Sequence, residues 1–170
     1  MKVKFKKLLP GAILPKKATE GSAAYDLYVP EDVIIKPGRQ IIPLGFAMEM
    51  EPGHEALVNP RSGFSSKGME GYLIVDMTVV GKLFEDCGTE RFVSMKPRRF
   101  NCDVIEGKID SDYRDGVGVI VHNHGPEFLI KAGTRIAQMT FHKVETVEWE
   151  ETDTLSETDR DGGFGSTGTK

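Results

Sequence analysis

The stretch Gly107-Lys-Ile-Asp-Ser-Asp-Tyr-Arg114 sets two carboxylates, a phenol ring and a guanidinium close together, and Asp115-Gly-Val-Gly-Val-Ile-Val121 follows it. Strand-like pieces flank this polar turn. A hairpin there would bring Asp110, Asp112, Tyr113 and Arg114 together and could offer a carboxylate and a ring to one bound molecule. An ordinary acidic turn has the same composition. In Asn59-Pro-Arg-Ser-Gly-Phe-Ser-Ser-Lys67, Ser62 reads as the cap of a short helix. The free amides of its first turn, with Arg61 and the Ser62 hydroxyl, would suit a phosphate, although a plain cap looks identical. The run Gly162-Gly-Phe-Gly-Ser-Thr-Gly168 offers backbone amides and the hydroxyls of Ser166 and Thr167 to phosphate oxygens, with Phe164 able to stack on a base. It lacks the Gly-Lys-Ser/Thr ending of a P-loop. A flexible terminus is the alternative.

Other candidates are weaker. Gly133-Thr-Arg-Ile-Ala-Gln-Met139 reads as a turn into a strand with Arg135 and Gln138 on opposite faces, and Ser22-Ala-Ala-Tyr-Asp-Leu27 leaves Asp26 among apolar neighbours. Histidines 54, 122, 124 and 142 show no metal-ligand spacing beyond the His122 and His124 pair, which reads as a surface turn. Cys87 and Cys102 are too few for a disulfide framework and are not spaced for zinc, so they read as buried or idle thiols.

These residues must be positioned by strands. Lys2 to Phe5 alternate charged and apolar, and further short runs lie at 33–35, 39–50, 54–58, 72–80, 117–122, 127–130 and 135–144, separated by Pro-Gly, Asn-His-Gly-Pro and Lys-Ala-Gly turns. The best helical stretch, Ser62 to Met69, is kept short by Gly63 and Gly68. The expected class is therefore all-β, a sandwich or jelly roll with at most one short helix. With 170 residues and 39% hydrophobic composition, one core-forming domain is expected over 1–150. A tail, 151–170, follows it. Glu145 to Lys170 holds eight acidic residues against Arg160 and Lys170, a balance of -6, whereas the rest is +2.

The scattered basic residues and acidic balance argue against direct nucleic-acid binding. No apolar run is long enough to span a bilayer, and the lysine-rich start is not followed by a leader's apolar core. A cytoplasmic location with no membrane partner is the expectation.

Taken in order, five segments resemble the five motifs of the trimeric dUTPases: Ser-Ala-Ala-Tyr-Asp-Leu at 22, Pro-Arg-Ser-Gly at 60, Gly-x-Ile-Asp-x-Asp-Tyr-Arg at 107, Gly-x-Arg-Ile-Ala-Gln-Met at 133 and Gly-Gly-Phe-Gly-Ser-Thr-Gly at 162. The resemblance implies a distorted jelly-roll subunit, a homotrimer, and magnesium-assisted hydrolysis of dUTP to dUMP and pyrophosphate. By the same resemblance, Asp110 looks like the carboxylate that activates the water attacking the α-phosphorus. Tyr113 looks like the ring against the deoxyribose, and backbone groups of Gly107 and Gly118 like those that read uracil. Arg61, Ser62, Gly63 and Gln138 resemble the residues along the α- and β-phosphates, and Arg160, Gly165, Ser166 and Thr167 those near the γ-phosphate. Phe164 resembles the cap over uracil. Asp26 resembles the acid that holds Mg2+ indirectly, through water.

Three features depart from the family pattern. Arg160 stands four positions before Phe164, one fewer than usual; Asp115 occupies a position normally Gly; and Gly63 and Gly107 lie 44 positions apart, a longer connection than usual. The surplus falls between Val75 and Cys102, about 76–102, with Phe84, Phe92 and Phe100 among mixed charges. It reads as a small β excursion, either a plain elaboration of the surface or a contact for another protein. Two other functions are compatible with the fold: a dCTP deaminase-like enzyme, and a dUTP-binding regulator acting through that segment.

Overall fold

The computed structural model describes residues 1–80 and 87–159. Its strands are β1 (Lys4–Lys7), β2 (Tyr25–Tyr28), β3 (Val33–Ile35), β4 (Gly38–Glu49), β5 (His54–Asn59), β6 (Met69–Val80), β7 (Cys87–Val93), β8 (Arg98–Phe100), β9 (Cys102–Ile105), β10 (Gly107–Asp110), β11 (Gly116–Asn123), β12 (Phe128–Ile130) and β13 (Arg135–Lys143). A single helix, α1 (Ser62–Lys67), stands among the described residues. The chain is thus all-β, as its turn-punctuated sequence requires.

Three antiparallel sheets form, in the orders β1-β4-β11-β9, β10-β5-β13-β2 and β3-β12-β6-β7, with β8 also pairing β6. Neighbours such as β4 with β11 and β5 with β13 are far apart in sequence, so the sheets are built by crossovers of the jelly-roll kind. Along β11, Val117, Val119, Val121 and Asn123 point into the core while Gly116, Gly118, Ile120 and His122 turn outward. This period of two delivers a packed inner face and a usable outer one. Asn123, although polar, is buried because its side-chain amide donates to the carbonyls of Ile35 and Pro126 and its Oδ1 accepts the Gly125 N–H.

Three strands, Tyr25–Tyr28, Arg98–Phe100 and Cys102–Ile105, were not expected from the sequence. Tyr25–Tyr28 buries Asp26 and Leu27 side by side, so it shows no alternation, and the four-residue strand Cys102–Ile105 is too short to stand out. Met69–Val80 and Cys87–Val93 pair from Ile74 with Val93 to Val80 with Cys87, a long antiparallel pair that runs into the surplus segment. Beyond Lys143, residues 144–159 form neither strand nor helix, and Trp149 stands 91% exposed. No helix among the described residues is long and apolar enough to cross a membrane.

Candidate active site

The turn between β10 and β11 is braced by its own side chains. Arg114 Nη1 donates to the carbonyls of Ser111 at 2.7 Å and Tyr113 at 2.9 Å, the Tyr113 N–H donates to the Asp110 carbonyl, and Tyr113 Oη donates to the Gly116 carbonyl at 3.1 Å. The Arg114 guanidinium thereby holds the turn in shape. Its bracing sets the Tyr113 ring over a cavity of about 210 Å³ walled by Gly107, Gly116, Gly118 and Ile41.

The two glycines named from the sequence differ in cause. A Cβ at Gly118 would stand 2.7 Å from Ile41 Cγ2, so a side chain there requires Ile41 to shift. At Gly107 the nearest atom would be Ile120 Cδ1 at 3.9 Å, ordinary contact, so the protein itself leaves room for a side chain. Asp110 ends β10, opposite Glu55 of β5, with an exposed side chain beside this cavity rather than in its wall.

A second cavity, about 350 Å³, opens between β2, α1 and β13 and is lined by Ser22, Asp26, Arg61, Ser62, Gly63, Arg135, Gln138 and Thr140. Asp26 is only 8% exposed. Its Oδ1 forms an ion pair with Arg61 Nε at 3.1 Å and its Oδ2 accepts a hydrogen bond from Arg135 Nη1 at 3.2 Å, so one buried carboxylate aims two guanidiniums at the cavity. The Arg61 guanidinium also lies 5.2 Å from the centre of the Phe64 ring, a contact that further limits its rotamers.

Two expectations are corrected here. Arg61, not Ser62, is the N-cap: its backbone is extended (φ -77°, ψ 138°), and its carbonyl accepts the N–H groups of Phe64 and Ser65. Ser62 is then the first helical residue, and its hydroxyl is left for the cavity. Gly68, at φ 77°, closes the helix, a backbone conformation that glycine adopts without strain. Second, Arg135 and Gln138 share one cavity instead of facing apart. The ladder to β2 shifts register between Arg135 and Ala137, and this bulge buries Ile136 and Ala137 in succession and reverses the alternation. Arg135 was missed as a site residue for that reason. The adjacent apolar pair Ile136-Ala137, breaking period two, was the available signal.

The two cavities do not meet in one chain. The first is walled by β10, β11 and Val58 of β5, the second by β2, α1 and the Gln138 and Thr140 side of β13, and no residue lines both. Gly107, Tyr113 and Gly118 are brought together, as are Asp26, Arg61, Ser62, Gly63 and Gln138; Asp110 lines neither cavity. Arg160, Phe164, Gly165, Ser166 and Thr167 lie outside the described residues.

Elsewhere, Cys102 is buried and its thiol is pushed up to about 12, chiefly by desolvation. The His122 and His124 rings lie 4.3 Å apart, and His124 Nε2 is 2.8 Å from Asp103 Oδ2. No three His, Cys, Asp or Glu side chains among the described residues are grouped to hold a metal ion.

The sequence model of the family described as dUTPase matches residues 11–83 and 98–168. The chain belongs to the dUTPase family. It is 39% identical to the deoxyuridine 5'-triphosphate nucleotidohydrolase of Nautilia profundicola, with 99% of each chain covered, and 38% identical to that of Gloeothece citriformis, with 99% and 97% covered. Among solved structures, the dUTPase of Staphylococcus bacteriophage 80alpha with dUPNHPP superposes with a TM-score of 0.75 at 21% identity over 99% of both chains. The dUTPase of phage phi11 of S. aureus, whose structure visualises a species-specific insert, gives 0.68 at 17% identity, with 93% of this chain and all of the other covered. These likenesses establish the dUTPase jelly-roll fold. The family match includes all of β6 and skips 84–97, which narrows the surplus to a stretch that holds β7.

Proposed function

We propose that this dUTPase-family chain hydrolyses dUTP to dUMP and pyrophosphate. The observation that carries the reading is the pairing of a tight, glycine-walled cavity beside Tyr113 with a separate cavity flanked by two arginines held on Asp26. The first suits a base and deoxyribose. Backbone groups of Gly107 and Gly118 would read the uracil edge, and the Tyr113 ring would leave no room for a 2′-hydroxyl. The second suits phosphates, with Arg61, Ser62, Gly63 and Gln138 as its contacts.

Asp110 would orient a water and take its proton as that water attacks the α-phosphorus, with pyrophosphate leaving on the opposite side. Because the chemistry needs no covalent nucleophile, the rate would come from positioning and charge neutralisation. Mg2+ is the cofactor of this reading. Both oxygens of Asp26 are already engaged, yet a carboxylate has lone pairs left for water, so Asp26 fits an ion held indirectly through its hydration shell. When bound, the ion would neutralise charge on the triphosphate.

We read the enzyme as a homotrimer with sites shared between copies, a reading supported by the two cavities of one chain having no lining residue in common. Residues 1–150 would form the body. The tail, 151–170, would close over a neighbour's nucleotide, with Phe164 capping the base and Arg160, Gly165, Ser166 and Thr167 near the γ-phosphate. We read the enzyme as soluble and cytoplasmic. A protein contact through 76–102 is a second reading, favoured by Phe92 and the 97% exposed Met95.

The test is to incubate the full chain and magnesium with dUTP, dCTP, dTTP and UTP and to measure pyrophosphate and ammonia separately. Pyrophosphate from dUTP alone is expected. Ammonia from dCTP, or pyrophosphate released equally from UTP, would refute the reading.

A further inference from the structure

A third cavity, about 360 Å³, adjoins the phosphate cavity and shares Arg61 and Arg135 with it; the other walls are Phe64, Glu70, Arg99, Gly133 and Thr134. Arg99 is the new element. It lies on β8, the strand by which the chain returns from its surplus segment, directly opposite Glu70 of β6. Phe100 anchors that strand by stacking on Phe128, ring centres 4.1 Å apart and nearly parallel at 6°. Arg99 Nη2 meets Glu70 Oε2 at 3.0 Å and Nη1 donates to the Gly68 carbonyl at 3.2 Å, so the guanidinium is steered to the closing turn of α1.

Three guanidiniums against Glu70 in the wall and Asp26 behind Arg61 and Arg135 leave a formal charge of +1. Their donors are not exhausted. Each guanidinium has five N–H groups; Arg99 uses its Nη1 and Nη2 on Gly68 and Glu70, and Arg61 and Arg135 make their recorded ion pairs only with Asp26. Such a wall suits a compact anion rich in acceptor oxygens, and the Phe64 ring beneath Arg61 is too buried to stack a base. We propose that this cavity is a subsite for inorganic diphosphate, next to the phosphate cavity and distinguished by Arg99 and Glu70. This rests on the dUTP-hydrolysing reading only for its role, which is to receive the leaving group as it moves off dUMP.

The experiment is calorimetric titration of inorganic pyrophosphate, without free metal, into the full-length protein saturated with dUMP. One diphosphate per chain is expected. Arg99→Ala should weaken it at least tenfold, and Glu70→Gln, which removes the opposing charge and frees Arg99, should tighten it several-fold. The two variants move affinity in opposite directions, so a general loss of folding cannot imitate the pair; should Arg99→Ala melt early, Glu70→Gln decides alone. Failure of the wild type to bind pyrophosphate, or affinity within twofold of wild type in both variants, would overturn the subsite. Failure of dUMP to bind would count against the proposed substrate instead, and the same variants titrated without dUMP would still decide the diphosphate site.

Discussion

Asp26 holds Arg61 and Arg135 at once, one carboxylate oxygen to each, at 3.1 and 3.2 Å. Substituting Asp26→Asn keeps the shape and removes the charge that aims both guanidiniums. A loss of about 1–3 kcal/mol in urea unfolding is expected, the usual cost of leaving a buried charged hydrogen bond incomplete. The KM for dUTP should rise by about tenfold, a change of roughly 1.4 kcal/mol. Unchanged stability and KM would show that the two arginines are oriented by something else.

Asp110 sits exposed at the end of β10 and does not line the arginine cavity. Asp110→Asn should therefore fold normally and bind a non-cleavable dUTP analogue as the wild type does, while kcat falls by about 10²–10⁴. Full rate in this variant would end its assignment as the base.

Gly107 and Gly118 separate structure from recognition. Gly118→Ala drives a Cβ against Ile41 and should cost about 1 kcal/mol or more on thermal unfolding. Gly107→Ala meets nothing closer than 3.9 Å, so it should leave the melting temperature nearly unchanged and raise the KM for dUTP several-fold. Equal effects of the two on stability would contradict this division.

Burial lifts the Cys102 thiol from its ordinary value of 9.0 to about 12. The unfolded chain then ionises first, so this group's contribution to stability is complete below pH 9 and is lost as pH climbs from 9 toward 12. Iodoacetamide at pH 8 should spare Cys102 in the native protein and modify it in urea, as peptide mass mapping would reveal. Rapid native labelling would contradict its burial.

Much of this molecule is written locally. Strands such as Val33–Ile35 and Gly116–Asn123 follow from β-branched runs between turn residues, because backbone preference and side-chain period act over a few positions. The family, likewise, was legible in five ordered motifs, since residues such as Asp110 and Tyr113 keep their spacing whatever the rest of the chain does. What the sequence could not disclose was long-range. Arg135 joins Gln138 only because a bulge against β2 reverses its face, and Arg99 reaches the arginine cluster only because β8 pairs with β6. Asp26 becomes a bridge between positions 61 and 135 only when β2 and β13 lie side by side and α1 follows β5. Chain order determined which groups exist and how strands begin and end. The tertiary structure decided which charges share a cavity, because register and bulges are set by burial of whole sheets, a property no short window contains.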